Sequence, residues 1–166
     1  HPSSALAWSS AVFSSDLFAA FHGQIHYALN LHSQEARIVA DIELDIESHL
    51  LVAHPRVLRW YRHSRAAGKK VIFVSDMYLP ADFLTNVLVR AGYEDPHCFV
   101  SNVFTAGKWE TQLFHEVARQ IDIRPDRFLH VGDNAQSDKQ NADAAGWVGL
   151  HFTESEQEQP YALQLV

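Results

Sequence analysis

Between Phe128 and Asp138 the chain reads Phe-Leu-His-Val-Gly-Asp-Asn-Ala-Gln-Ser-Asp, four strand-forming residues that run into a glycine and two carboxylates five positions apart. A short run of this kind ending in Gly132-Asp133 is the pattern of a buried strand in a parallel sheet. In such sheets ligands bind at the carboxyl edge, which is where Asp133 falls, and Asp138 follows at the start of the next helix. Two acids held there suit a hard cation such as Mg²⁺, which takes one or two carboxylates and otherwise water and substrate oxygens. The same residues also describe a plain strand, an acidic turn and a helix N-cap, because Asp and Ser are ordinary capping residues. Spacing alone leaves both readings open.

From Pro55 onward helix and strand patterns alternate. Pro55 suits a first helical position, Val57, Leu58 and Tyr61 share a face, and Gly68 stops the helix. Val71-Ile-Phe-Val74 reads as a strand, Pro80 opens a helix with Phe83, Leu84, Val87 and Leu88 inward, and Gly92 closes it. Cys98 to Val100 is a short strand, and Trp109 to Gln120 a helix with Leu113, Phe114 and Val117 as its stripe. Phe128 to Val131 is the strand described above, residues 139 to 145 form a short helix ended by Gly146, and Trp147 to Phe152 is the last strand. Alternation of this kind predicts a parallel α/β sheet. Residues 17 to 52 read as helical, although Asp41 to Glu47 also alternates like a strand. The tail from 154 to 166 carries Glu154, Glu156 and Glu158 and reads as a solvated edge or linker.

Composition narrows the function classes. The 166 residues, 47% hydrophobic, suffice for one core. A net charge of -7 argues against a nucleic-acid partner, and no apolar run reaches the length of a membrane span. One cysteine, Cys98, excludes an intramolecular disulfide and fits a reducing cytoplasm. Eleven histidines show no His-Glu-x-x-His spacing; His22 and His26 are i,i+4, and His130 reads as a packed core residue.

Three segments in order carry a family likeness: Lys69-Lys-Val-Ile-Phe-Val-Ser-Asp-Met-Tyr-Leu-Pro80, Thr105-Ala-Gly-Lys108, and Gly132-Asp-Asn-x-x-Ser-Asp138. Together they resemble the haloacid dehalogenase (HAD) superfamily of phosphohydrolases over about residues 55 to 152. The Ser-Asp-Met-Tyr-Leu-Pro and Gly-Asp-Asn-x-x-Ser-Asp wording is similar to a bacterial branch often attached to glycosyltransferases. The resemblance implies a Rossmann-like HAD fold, three-layer α/β/α with a parallel sheet. It also implies an N-terminal helical segment or cap over residues 1–54, with a degenerate first strand near 10–16, ahead of a core at 55–153.

It further implies Mg²⁺-dependent phosphoryl transfer through an aspartyl-phosphate on a phosphorylated small molecule. In those roles Asp16 attacks phosphorus, Asp133, Asp138 and Asp16 hold the metal, and Ser75, Asp76 and Lys108 bind the phosphoryl group. Asp138 alternatively positions Lys108 or a metal-bound water. The nucleophile motif is the departure. Against Asp-Ile-Phe-Asp-Thr, Asp16-Leu-Phe-Ala-Ala keeps the nucleophile and loses the second Asp and the Thr; in the other register Ser14 stands where the nucleophile should. Ser14-Ser15-Asp16 also reads as a helix cap, and loss of the first strand by truncation is a third reading. Two alternatives from other classes follow: a non-catalytic HAD-like module that binds a phosphorylated ligand or packs on a fused glycosyltransferase, and a receiver-like domain. The receiver accounts poorly for Gly132-Asp133 and Asp138 coming after Lys108.

Overall fold

Helix, strand and helix succeed one another from Pro55 onward as the periodicity requires. The structure is a computed structural model that describes residues 22–25, 27–29, 32–101, 108 and 111–153. Contacts divide the chain into two units, His1–Thr105 and Ala106–Val166, so the division falls inside the segment read from sequence as a single core. Among the described residues the strands form two parallel pairs, one in each unit. Residues 10–16, proposed as the first strand, and the tail from 154 lie outside the described residues.

In the first unit residues 22–25 and 27–29 are helical and lead to α1 (Ser33–Leu50). The Glu35 carboxylate accepts the His32 backbone N–H at 2.6 Å, which satisfies a donor at the start of α1. The ambiguous stretch Asp41 to Glu47 is therefore helix, with Asp41 and Asp45 exposed and Glu43 and Glu47 half-buried. Helix α2 (Pro55–Ala66) starts at its proline, and Gly68, with φ of 70°, supplies the left-handed residue after its end. Tyr61 is the buried anchor of α2: its ring meets Tyr93 edge-on at 4.9 Å, and its hydroxyl accepts the Glu94 N–H at 2.9 Å.

Strand β1 (Phe73–Ser75), helix α3 (Ala81–Arg90) and strand β2 (Cys98–Val100) form a β-α-β unit. The strands pair in parallel with Phe73 opposite Cys98 and Ser75 opposite Val100. Leu79, Leu84 and Val100 make its core, with Leu44 and Leu51 packed against them from α1 and the residue that follows it. Cys98 is half-buried in β2.

The second unit is built on α4 (Gln112–Ile121), whose Leu113, Phe114 and Val117 are fully buried. A 3₁₀ turn (Pro125–Arg127) leads to β3 (Leu129–Gly132), then a π-helical segment (Ala135–Gln140), α5 (Asn141–Ala144) and β4 (Val148–His151). Strands β3 and β4 are parallel, with His130 opposite Gly149 and Gly132 opposite His151. Phe114 meets the Trp147 ring edge-on at 5.0 Å, and Phe128 stacks on Trp147 at 4.1 Å. Helical structure thus begins at Ala135, ahead of the expected 139. Asn134 is the cap, its side chain accepting the N–H groups of Gln136 and Ser137, and Asp138 is drawn inside the helix.

Gly149 is where the π-helical segment presses on the sheet, since a Cβ there would lie 2.8 Å from the Lys139 Cα. Gly149→Ala is expected to lower stability by about 1–3 kcal/mol through overpacking, measured by urea unfolding. An unchanged midpoint would show that the helix is not held this close.

Candidate functional site

The end of β3 carries the chemistry. Lys108 Nζ lies 2.5 Å from Asp138 Oδ1, with the two side chains only 11% and 5% exposed. His130, on β3, places Nε2 3.1 Å from the same oxygen, and the Asn134 backbone N–H donates to Oδ2 at 2.9 Å. The Asp138 carboxylate therefore faces a lysine, a histidine and a main-chain donor. Lys108 is fixed at its other end as well, because Asn141 Nδ2 donates to the Lys108 carbonyl at 2.9 Å. Gln136 in turn donates to Asn141 Oδ1 at 3.1 Å.

This closeness explains the glycine of Gly132-Asp133. A Cβ on Gly132 would collide with the Asp138 side chain, including its Cβ at 2.6 Å. The wide turn of a π-helix, a feature frequent at functional sites, brings Asp138 back over the strand it follows. Burial pushes the Asp138 carboxyl up, but the hydrogen bonds from Lys108, the Asn134 N–H and His130 outweigh it and hold the group below its ordinary value. His130 moves down: burial disfavours its charged form and the Lys108 charge adds to this, against the pull of Asp138. Neutral His130 thus donates from Nε2–H to the ionised carboxylate.

Asp133 is exposed at the end of β3, and its carbonyl accepts a hydrogen bond from His151 Nε2 at 2.9 Å. Ser75 closes β1 in the first unit, half-buried, with Asp76 exposed beside it. Asp16 and Ser14 lie outside the described residues. Among the described residues no three His, Cys, Asp or Glu side chains are grouped to hold a metal ion. As for Mg²⁺, Asp138 has both oxygens engaged, so of the roles the sequence allowed it, positioning Lys108 is the one this geometry serves. Asp133 is a hard, solvent-facing carboxylate and suits the ion as a single protein ligand.

The loop after β1 is tied down separately. Tyr78 donates to Glu43 of α1 at 2.5 Å, and His22 Nε2 lies 2.6 Å from the other Glu43 oxygen. The hydrogen bond to Glu43, burial and the negative charges of Glu43 and Glu47 push the Tyr78 hydroxyl up to about 12. His22, considered from its spacing with His26, is thus buried beside a carboxylate, while His26 lies outside the described residues.

Sequence reasoning missed His130 and Asn141 as members of the site. His130 read as core, and it is buried, stacked edge-on to Phe114 at 5.1 Å. The available signal was a titratable side chain in a strand eight residues before an acid at a helix start.

Residues 105–160 match the HAD-hydrolase-like family. The matched stretch holds Lys108, β3, Asp133 and Asp138, and supports a hydrolase-type domain at the level of the superfamily. No curated protein matches the chain. No helix among the described residues is long and apolar enough to cross a membrane.

Two outcomes follow. Asp138→Asn should destabilise the chain by about 3 kcal/mol, because it leaves the Lys108 ammonium buried without its counter-charge; chemical unfolding checks this. The second concerns pH. His130 has a folded pKa below its ordinary 6.5, so the unfolded chain binds the proton first as pH falls. Its contribution is intact above about 6.5 and declines as pH drops toward the folded value. The unfolding free energy of the parent should therefore fall more steeply between pH 7 and 5 than that of His130→Asn, and parallel curves would count against a neutral buried His130.

Proposed function

We propose that this chain is a Mg²⁺-dependent phosphohydrolase of the HAD type, with the three-layer α/β/α arrangement of that superfamily. The observation that carries the reading is the buried Lys108–Asp138–His130 network beside Gly132-Asp133, inside the stretch that matches the HAD-hydrolase-like family. A lysine held by a buried carboxylate presents a fixed positive charge, suited to the charge that develops on a transferring phosphoryl group. Asp133 would hold Mg²⁺, which supplies charge neutralisation when bound. Ser75, with Asp76 beside it at the end of β1, would donate hydrogen bonds to phosphoryl oxygens. Asp16 would be the nucleophile of an aspartyl-phosphate route.

The substrate class is a phosphorylated small molecule; the branch resemblance adds a fused or neighbouring glycosyltransferase to the proposal, and the single cysteine adds a cytoplasmic setting. Hydrolysis of an aryl phosphate should require Mg²⁺ and fall about 10²- to 10³-fold in Lys108→Met. Asp133→Asn should weaken Mg²⁺ binding in calorimetry, and Asp16→Asn should abolish turnover with the fold intact. Activity surviving in Asp16→Asn would move the nucleophile elsewhere. A parent that neither binds Mg²⁺ nor hydrolyses the ester, yet binds a phosphorylated ligand, would instead be the non-catalytic module.

A further inference from the structure

Helix α1 turns its larger apolar side chains outward. Ile38, Ile42, Ile46 and Leu50 recur every four residues and are 50, 51, 50 and 64% exposed, with Val39 beside them at 38%. Four-residue spacing sets them in one ribbon along the helix. Ala36, Ala40 and Leu44 are half-buried on the opposite side. An exposed apolar ribbon of this length marks an interaction surface.

Its rim identifies the occupant. Helix α1 carries Glu35, Asp41, Glu43, Asp45 and Glu47 against Arg37 alone, with Glu35, Asp41 and Asp45 exposed. Helix α2 is the inverse, with Arg56, Arg59, Arg62 and Arg65 and no acid; Arg59 and Arg62 are exposed and Trp60 is 41% exposed. An anionic membrane would be repelled by the acidic rim, and α1 laid on a second α1 would bring two acidic rims together. The complementary surface available on the chain itself is α2.

We propose that two copies of this chain pair with α1 of one on α2 of the other, the contact being made twice about a twofold axis. The aliphatic stems of Arg59 and Arg62, one turn apart on α2, would cover the isoleucines while the guanidinium groups reach Asp41 and Asp45. The apolar ribbon supplies the driving force, and the opposite charges choose the partner and its register. One contact is limited by the 12 residues of α2 and spans about 18 Å by about 10 Å, roughly 180 Å² of footprint. Made twice, the contact reaches roughly 360 Å² per partner, still well short of the about 800 Å² of a stable interface, so the reciprocal contact is required and the association is weak, micromolar or above.

Sedimentation equilibrium of the full chain between about 1 and 200 μM should show a monomer–dimer equilibrium. Ile42→Ser with Ile46→Ser should weaken it at least about tenfold. Two charge reversals decide the geometry: Asp41→Lys with Asp45→Lys, and Arg59→Glu with Arg62→Glu. Each variant alone should be monomeric, and their equimolar mixture should recover the dimer, which only folded variants can do. A parent that stays monomeric overturns the proposal, and so does a dimer indifferent to both reversals or a mixture that remains monomeric.

Discussion

A lysine and an aspartate buried against each other set the terms for the second unit. Removing both charges from water costs several kcal/mol per ion, and their attraction offsets that only when the remaining hydrogen bonds are made. The structure meets the condition at Asp138, whose oxygens face Lys108 and His130 on one side and the Asn134 N–H on the other. Around this pair the other features follow. Gly132 leaves room for the carboxylate, the π-helical turn delivers it, and Asn141 holds the lysine backbone. A charged histidine in place of neutral His130 would add a second buried cation to a balanced pair.

The arrangement also separates two carboxylates that look equivalent in the chain. Asp138 is spent inside the protein, whereas Asp133, the residue directly after β3, faces solvent. Their environments differ: one carboxylate is paired with a lysine and a histidine, and the other is exposed. Such a difference is set by burial rather than residue type.

In the first unit α1 serves two purposes with opposite faces. Inward, Leu44 packs toward Leu79, Leu84 and Val100, and Glu43 takes the Tyr78 hydroxyl from the loop that follows Ser75. Outward, it shows an isoleucine ribbon edged by acids. The helix thereby joins the loop after β1 to an exposed apolar surface.

Most of the element order was legible in the sequence, because local rules decide it. Pro55 at a helix start, Gly68, Gly92 and Gly146 with positive φ after helix ends, and the apolar stripe of Leu113, Phe114 and Val117 are short-range signals. Lys108, Asp133 and Asp138 stood out by their order and by resemblance. Tertiary structure decided what each does. Whether Asp138 caps a helix or is buried depends on Asn134 taking the cap, and this rests on hydrogen-bond geometry that spacing does not encode. His130 became a site residue only because β3 and the π-helical turn meet across Gly132, bringing residues eight apart within 3.1 Å. Sequence determines which residues are apolar, acidic or free to turn; which carboxylate loses its water, and so which proton and which charge it controls, is settled by packing.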